Sequence, residues 1–151
     1  MVCVDLNEII GGDVALEEAL ALVCEDTRTA GAWATDYISA HGMSRAEVIR
    51  MSRLNQTFGY QILSDMRNPS RDKLIQLAFG MGLDAAGCSE LLERGGVNAL
   101  TPRSRRDVVI AYCLERTTGV AVCDDVLWEL GEQTLVPEDP RHVSKKGILP
   151  S

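Results

Sequence analysis

Aromatic residues are scarce in this chain of 151 residues, at 5% of the total, so a core must be built from Leu, Val, Ile, Ala and Met. Such a composition favours helices over a sandwich of strands. No apolar run approaches the ~20 residues that a membrane span needs. The opening MVCVDLNEII lacks a basic start and meets an acid at Asp5, unlike a secretion signal. Both absences predict a cytoplasmic protein. The five cysteines (3, 24, 88, 113 and 123) never fall in a C-x-x-C spacing. They predict small buried hydrophobes in a reducing compartment rather than a zinc site or a dithiol centre. There are two histidines, and neither His41 nor His142 has Cys, Asp or Glu at a ligand spacing that would make a metal site persuasive; His41 reads as a helix-end residue favoured by the dipole. No G-x-S-x-G, phosphate-cradling glycine loop or His-paired nucleophile is present. Glu17-Glu18 and Asp124-Asp125 are adjacent, so on a helix they point about 100° apart and make no carboxylate dyad. The expectation is no enzyme, no cofactor and no metal.

What is present is the composition of a folded protein, 46% apolar and 25% charged, which excludes wholesale disorder. The length suits one ordinary domain. A net charge of −7 opposes contact with nucleic acid or anionic lipid over the molecule as a whole. The distribution is uneven, however. Residues 1–42 carry eight acids and one base, and residues 120–139 carry six acids and no base. Residues 43–73 instead hold Arg45, Arg50, Arg53, Arg67, Arg71 and Lys73 against Glu47, Asp65 and Asp72. A polyanion would have to meet this middle stretch.

Helical spacing begins after Asp13, read as a cap, and places Leu16, Leu20, Val23 and Cys24 on one face. A second helix starts near Ala30, carries Trp33, Tyr37 and Ile38, and stops at Gly42. Ser44-Arg45-Ala46-Glu47 has the form of a capping box, in which the Ser and Glu side chains satisfy each other's free backbone N–H groups. Val48, Ile49 and Ser52 then face inward, Arg53–Asn55 form a turn, and Phe58, Ile62 and Leu63 resume the apolar stripe. Asn68-Pro69 is loop chemistry, and Ser70 caps a helix bearing Leu74, Ile75, Leu77, Ala78 and Phe79 that closes around Gly80 and Gly82. Asp84 caps another with Cys88, Leu91 and Leu92, ended by Gly95-Gly96. Thr101-Pro102 reads as the opening of the next helix, through Val108–Leu114, a β-branched run that also admits a strand. A last amphipathic piece spans Val122–Leu130. Trp33, Tyr112 and Trp128 suit either a core or a dimer surface. Residues 136–151 hold three prolines and Lys145-Lys146, predicting a mobile tail.

The stretch SRAEVIRMSRLNQTFGYQILSDMRNPSRDKLIQLAFGMGL, residues 44–83, resembles the lambda-repressor-like helix-turn-helix of the XRE (Cro-type) family. The resemblance implies an all-α fold. Ser44–Ser52 would be the first motif helix, Arg53–Asn55 the turn, and Gln56–Ser64 the recognition helix. Arg67-Asn68-Pro69-Ser70 matches the following loop, and 71–79 the helix after it. About 40 residues match closely, and residues 30–100 fit the five-helix outline more loosely. Residues 1–29 would then be an acidic N-terminal helical segment and 101–135 a C-terminal helical extension, suited to dimerisation. Four positions depart from the family pattern: Ile49 stands where a small Ala is usual, Arg53 where Gly is usual, Gly59 where Ile or Val is usual, and Asp65-Met66 where Gly-Lys is common. Read singly, Gly59 removes a core contact and costs about 1 kcal/mol of helix propensity.

With Phe58, Ile62 and Leu63 turned inward, Gln56, Thr57, Tyr60, Gln61 and Ser64 stay outside. Gln can pair with the N6 and N7 edge of adenine, Thr can touch a thymine methyl, and Tyr and Ser can reach phosphate. Arg45, Arg50, Arg53, Arg67, Arg71 and Lys73 flank that face and could neutralise phosphates, and Asn68 in the following loop is a further candidate contact. The expectation is a sequence-specific DNA-binding regulator, a homodimer on a double-stranded operator with Gln56, Thr57, Tyr60 and Gln61 facing bases in the major groove. A rival expectation, motivated by the net charge, Gly59 and the missing loop Lys, is an interaction adaptor that keeps the scaffold for a protein partner without reading DNA. A small-molecule sensor is a third.

Overall fold

The computed structural model describes residues 6–137, 139, 140 and 142, and among these it contains nine helices and no strand. They are α1 (Leu6–Ile10), α2 (Leu16–Ala21), α3 (Ala30–Ala40), α4 (Arg45–Met51), α5 (Gln56–Leu63), α6 (Arg71–Met81), α7 (Ala85–Arg94), α8 (Arg105–Glu115) and α9 (Val120–Glu129). The fold is all-α. No helix among the described residues is long and apolar enough to cross a membrane.

Helices α3 to α8 share one starting device. Thr29, Ser44, Asn55, Ser70, Asp84 and Ser104 each sit one residue before a helix and accept a hydrogen bond from a backbone N–H of its first turn. Each such cap contributes about 1 kcal/mol. Ser44 takes the Glu47 N–H at 3.3 Å. The reciprocal half of the capping box does not form, because the Glu47 carboxylate turns onto Arg50 instead.

The interior is organised around α6, in which seven of eleven residues are buried, including Leu74, Ile75, Leu77 and Met81. Helices α4, α7 and α9 pack on it. The α4 contact is close enough to require Gly80, where a Cβ would lie 1.9 Å from Ser52 Oγ and 2.4 Å from the Val48 carbonyl oxygen. The β-branched run Val108–Leu114 is helical, inside α8. Its Ile110, Cys113 and Leu114 join the same core as Leu74 and Leu91, together with Val120, Cys123 and Leu127 of α9. Two crossed ion pairs tie the start of α8 to the start of α6. Arg71 forks Asp107 at 3.0 and 2.7 Å, and Arg106 forks Asp72 at 2.9 and 3.0 Å.

Several expectations change. Asp13 caps nothing: α2 begins later, with Ala15 at its N-cap and no side-chain hydrogen bond. The apolar face of this segment is outside, with Leu16, Leu20 and Val23 all more than half exposed, and neither α1 nor α2 buries a residue. Amphipathic spacing marks an apolar face but supplies no surface for it to pack on. Cys88, Cys113 and Cys123 are buried thiols, and burial pushes the Cys88 thiol up to about 12. Cys24 differs from the expectation, being exposed and disulfide-bonded; Cys3 lies outside the described residues. Thr101-Pro102 does not open α8, which starts at Arg105 behind Ser104. The preceding backbone is tied elsewhere: the carbonyls of Asn98 and Ala99 accept from Arg71, and the Thr101 N–H donates to Asp107. The expected mobile tail is in part docked. Asp139 and His142 are buried, while residues 138, 141 and 143–151 lie outside the described residues.

Candidate nucleic-acid interface

The candidate interface is the α4–turn–α5 unit, and its geometry follows from a few buried groups. Val48 and Ile49 of α4 and Ile62 and Leu63 of α5 face the core. Between the helices Arg53 adopts φ 58°, a left-handed conformation that side chains other than Gly enter at a cost. The left-handed position of this turn is therefore filled by an Arg. Leu54 is buried beside it, and the Gln76 amide of α6 donates to the carbonyls of Ser52 at 3.0 Å and Arg53 at 3.4 Å. That buried amide pins the turn from below. Asp65 takes φ 60° after α5, which its short polar side chain tolerates, and accepts from the Thr29 hydroxyl at 2.6 Å.

Ile49 and Gly59 explain each other. A Cβ on Gly59 would sit 2.5 Å from Cγ2 and 2.8 Å from Cγ1 of Ile49. The larger side chain on α4 occupies the space that the missing one on α5 vacates, so the core contact that Gly59 lacks is replaced rather than lost.

On the outer side of α5, Gln56, Thr57 and Ser64 are exposed, while Tyr60 and Gln61 are half-buried. Gln56 and Thr57 project from the first turn, next to Asn55, whose side chain is spent on the Phe58 N–H. Gln61 Oε1 accepts from Arg67 Nε at 3.1 Å, and the same guanidinium lies 5.9 Å from the centre of the Phe58 ring. Arg45 lies 5.8 Å from the Tyr60 ring centre. Cations thus stand at both sides of the helix, held against aromatic faces. Neither Arg45 nor Arg67 pairs with a carboxylate among the described residues. Ser64 faces outward, but its hydroxyl donates back to the Tyr60 carbonyl at 2.9 Å and closes the helix. Asn68 is exposed in the loop after α5.

Some of the expected cations are engaged elsewhere. Arg71 is a correction: its guanidinium forks the buried Asp107 and donates to Asn98 and Ala99, so it is a structural residue. The hydrogen-bonded Asp107 carboxylate raises Arg71 further above its ordinary range. Arg53 carries an ion pair with Asp139 at 3.7 Å. Arg50 belongs to an exposed pair in which its hydrogen bond lowers Glu47 and raises Arg50. The residues brought together with an open polar side are Arg45, Gln56, Thr57, Tyr60, Gln61, Arg67 and Asn68.

Sequence reasoning missed Gln76, which reads locally as the polar side of an amphipathic helix, and the Arg53–Asp139 pair, which joins residues far apart in the chain. Among the described residues no group of three His, Cys, Asp or Glu side chains could hold a metal ion. No family model, no curated protein and no solved structure matches the chain.

Proposed function

We propose that the protein is a sequence-specific DNA-binding regulator of the XRE helix-turn-helix type, with α5 as its recognition helix. The observation that carries this reading is the outer side of α5. Gln56 and Thr57 are exposed on its first turn, and Arg45 and Arg67 stand to either side without carboxylate partners among the described residues. The N-terminal residues of such a helix are those that meet base edges, while flanking cations meet the sugar-phosphate ridges. Gln61 and Tyr60 follow one turn later, with Gln61 positioned by Arg67. The interlocked Ile49 and Gly59 and the Arg53 turn support the same reading, since they keep α4 and α5 in close contact despite the departures from the family pattern. We read the protein as a homodimer, whose two α5 helices would enter successive major-groove faces about 34 Å apart. The exposed Val108 and Tyr112 of α8 offer the apolar surface for that pairing.

Selection from a random duplex library tests the reading. An enriched site whose affinity falls by about 1–3 kcal/mol per lost base contact in Gln56→Ala and Gln61→Ala is expected. Recovery of no enriched sequence would refute it. One observation favours the second reading, an adaptor that binds a protein partner through this scaffold: Arg50, Arg53 and Arg71 are already paired with carboxylates. That reading predicts no measurable association with duplex at low salt.

A further inference from the structure

The chain after α9 returns to the α4–α5 turn. Leu135 is buried, and its N–H and that of Val136 donate to the Asp124 carboxylate of α9 at 2.6 and 3.0 Å. Beyond this anchor Asp139 and His142 are buried, at 3% and 6% exposure. The His142 ring lies over Trp128, with centres 4.9 Å apart. Its Nε2 is 3.1 Å from Asp125 Oδ1 and its Nδ1 3.9 Å from Asp139 Oδ2. Asp139 Oδ2 in turn lies 3.7 Å from Arg53 Nη1. Among the described residues, the charged groups around His142 are Asp124 and Asp125 of α9, Asp139 of its own segment, and Arg53 beyond it. A carboxylate docked by a folded segment occupies the cation of the turn that leads into α5.

We propose that the segment carrying Leu135, Val136, Asp139 and His142 is an autoinhibitory strap in which Asp139 takes the place of a DNA phosphate on Arg53. The proposal rests on the DNA-binding reading above. A carboxylate and a phosphate are rival oxyanions for one guanidinium. Arg53 contributes to duplex binding only when Asp139 withdraws. The pair is partly exposed on the Arg53 side, at 39%, so the restraint that the strap imposes is weak. His142, held between Trp128 and the Asp125 carboxylate of α9, anchors the segment that carries Asp139 and is the positioning residue of the device.

The test is binding of a labelled random-sequence duplex to the full chain across a salt series. Asp139→Asn should bind about threefold tighter than wild type, as expected for release of an exposed ion pair. It should also steepen the dependence of log K on log salt by about one, because Arg53 then neutralises one further phosphate. His142→Ala, which unseats the strap and leaves the carboxylate in place, should shift binding the same way. In an Arg53→Gln background the tighter binding of Asp139→Asn should vanish. Its persistence there would overturn the strap and assign the effect to general charge removal. Equal affinity and slope for wild type and both strap variants would overturn the strap alone and leave the DNA-binding reading standing. Absence of binding by every variant at low salt would overturn both.

Discussion

Exchanging the volumes of Ile49 and Gly59 probes the geometry on which the candidate interface depends. In Gly59→Ala the new Cβ would lie 2.5 Å from Ile49 Cγ2, and Ile49, at 2% exposure, has no solvent to swing into. Overpacking of this kind costs about 1–3 kcal/mol, while replacing a helical Gly by Ala returns about 1 kcal/mol. The single variant should therefore be destabilised by up to about 2 kcal/mol. Ile49→Ala alone leaves a cavity and should lose about 2–5 kcal/mol. In that background the clash is absent. The added methyl then contributes about 0.8 kcal/mol of burial on top of the propensity gain, so Gly59→Ala becomes stabilising by about 2 kcal/mol. The two changes should couple by at least about 2 kcal/mol, near the upper range for residues in contact. Urea unfolding followed by circular dichroism, with an unchanged m-value, measures all four proteins. Additivity within about 0.5 kcal/mol would refute the interlocking of α4 and α5.

Asp107→Asn should destabilise the fold by about 3 kcal/mol, because it leaves the Arg71 guanidinium without its buried partner; a loss below about 1 kcal/mol in urea would count against a structural Arg71. Gly80→Ala should cost at least about 3 kcal/mol, since its Cβ meets the Val48 carbonyl at 2.4 Å and backbone cannot step aside; a wild-type melting temperature would contradict that packing. Asp26 is held below the usual carboxylate range, first by the hydrogen bond from Arg28 and further by Arg94. It binds protons less readily folded than unfolded, so its contribution is complete above the ordinary carboxylate pKa of about 4 and fades as pH falls below it. Melts of Asp26→Asn should accordingly show a shallower acid limb than wild type, and parallel limbs would rule out the contribution.

The helices that carry the site were legible because their boundaries are written locally. Ser44, Ser70 and Asp84 cap helices where the sequence places them, and the turn between α4 and α5 falls on the residues read as a turn. Signals that depend on distant partners were not legible. Arg71 and Arg106 look like free cations until Asp107 and Asp72 are brought across from another helix. The docking of Leu135 and His142 depends on Asp124 and Trp128, which no local pattern connects to a proline-bearing segment. In α2 a clear apolar stripe met no surface. Ile49 and Gly59 each look like a defect alone; their opposite changes in volume were visible in the sequence and have meaning only as a pair.

Salt dependence of duplex binding, measured for wild type, Arg45→Ala and Arg67→Ala, addresses the central claim most directly. With Arg45 and Arg67 as the cations of this face lacking a carboxylate partner among the described residues, log K should fall against log salt with a slope of about −2 per protomer. Each Arg→Ala variant should reduce that slope by about one. A wild-type protein that fails to bind at low salt, or a slope that neither variant changes, would contradict the assignment of α5 as a DNA-reading helix.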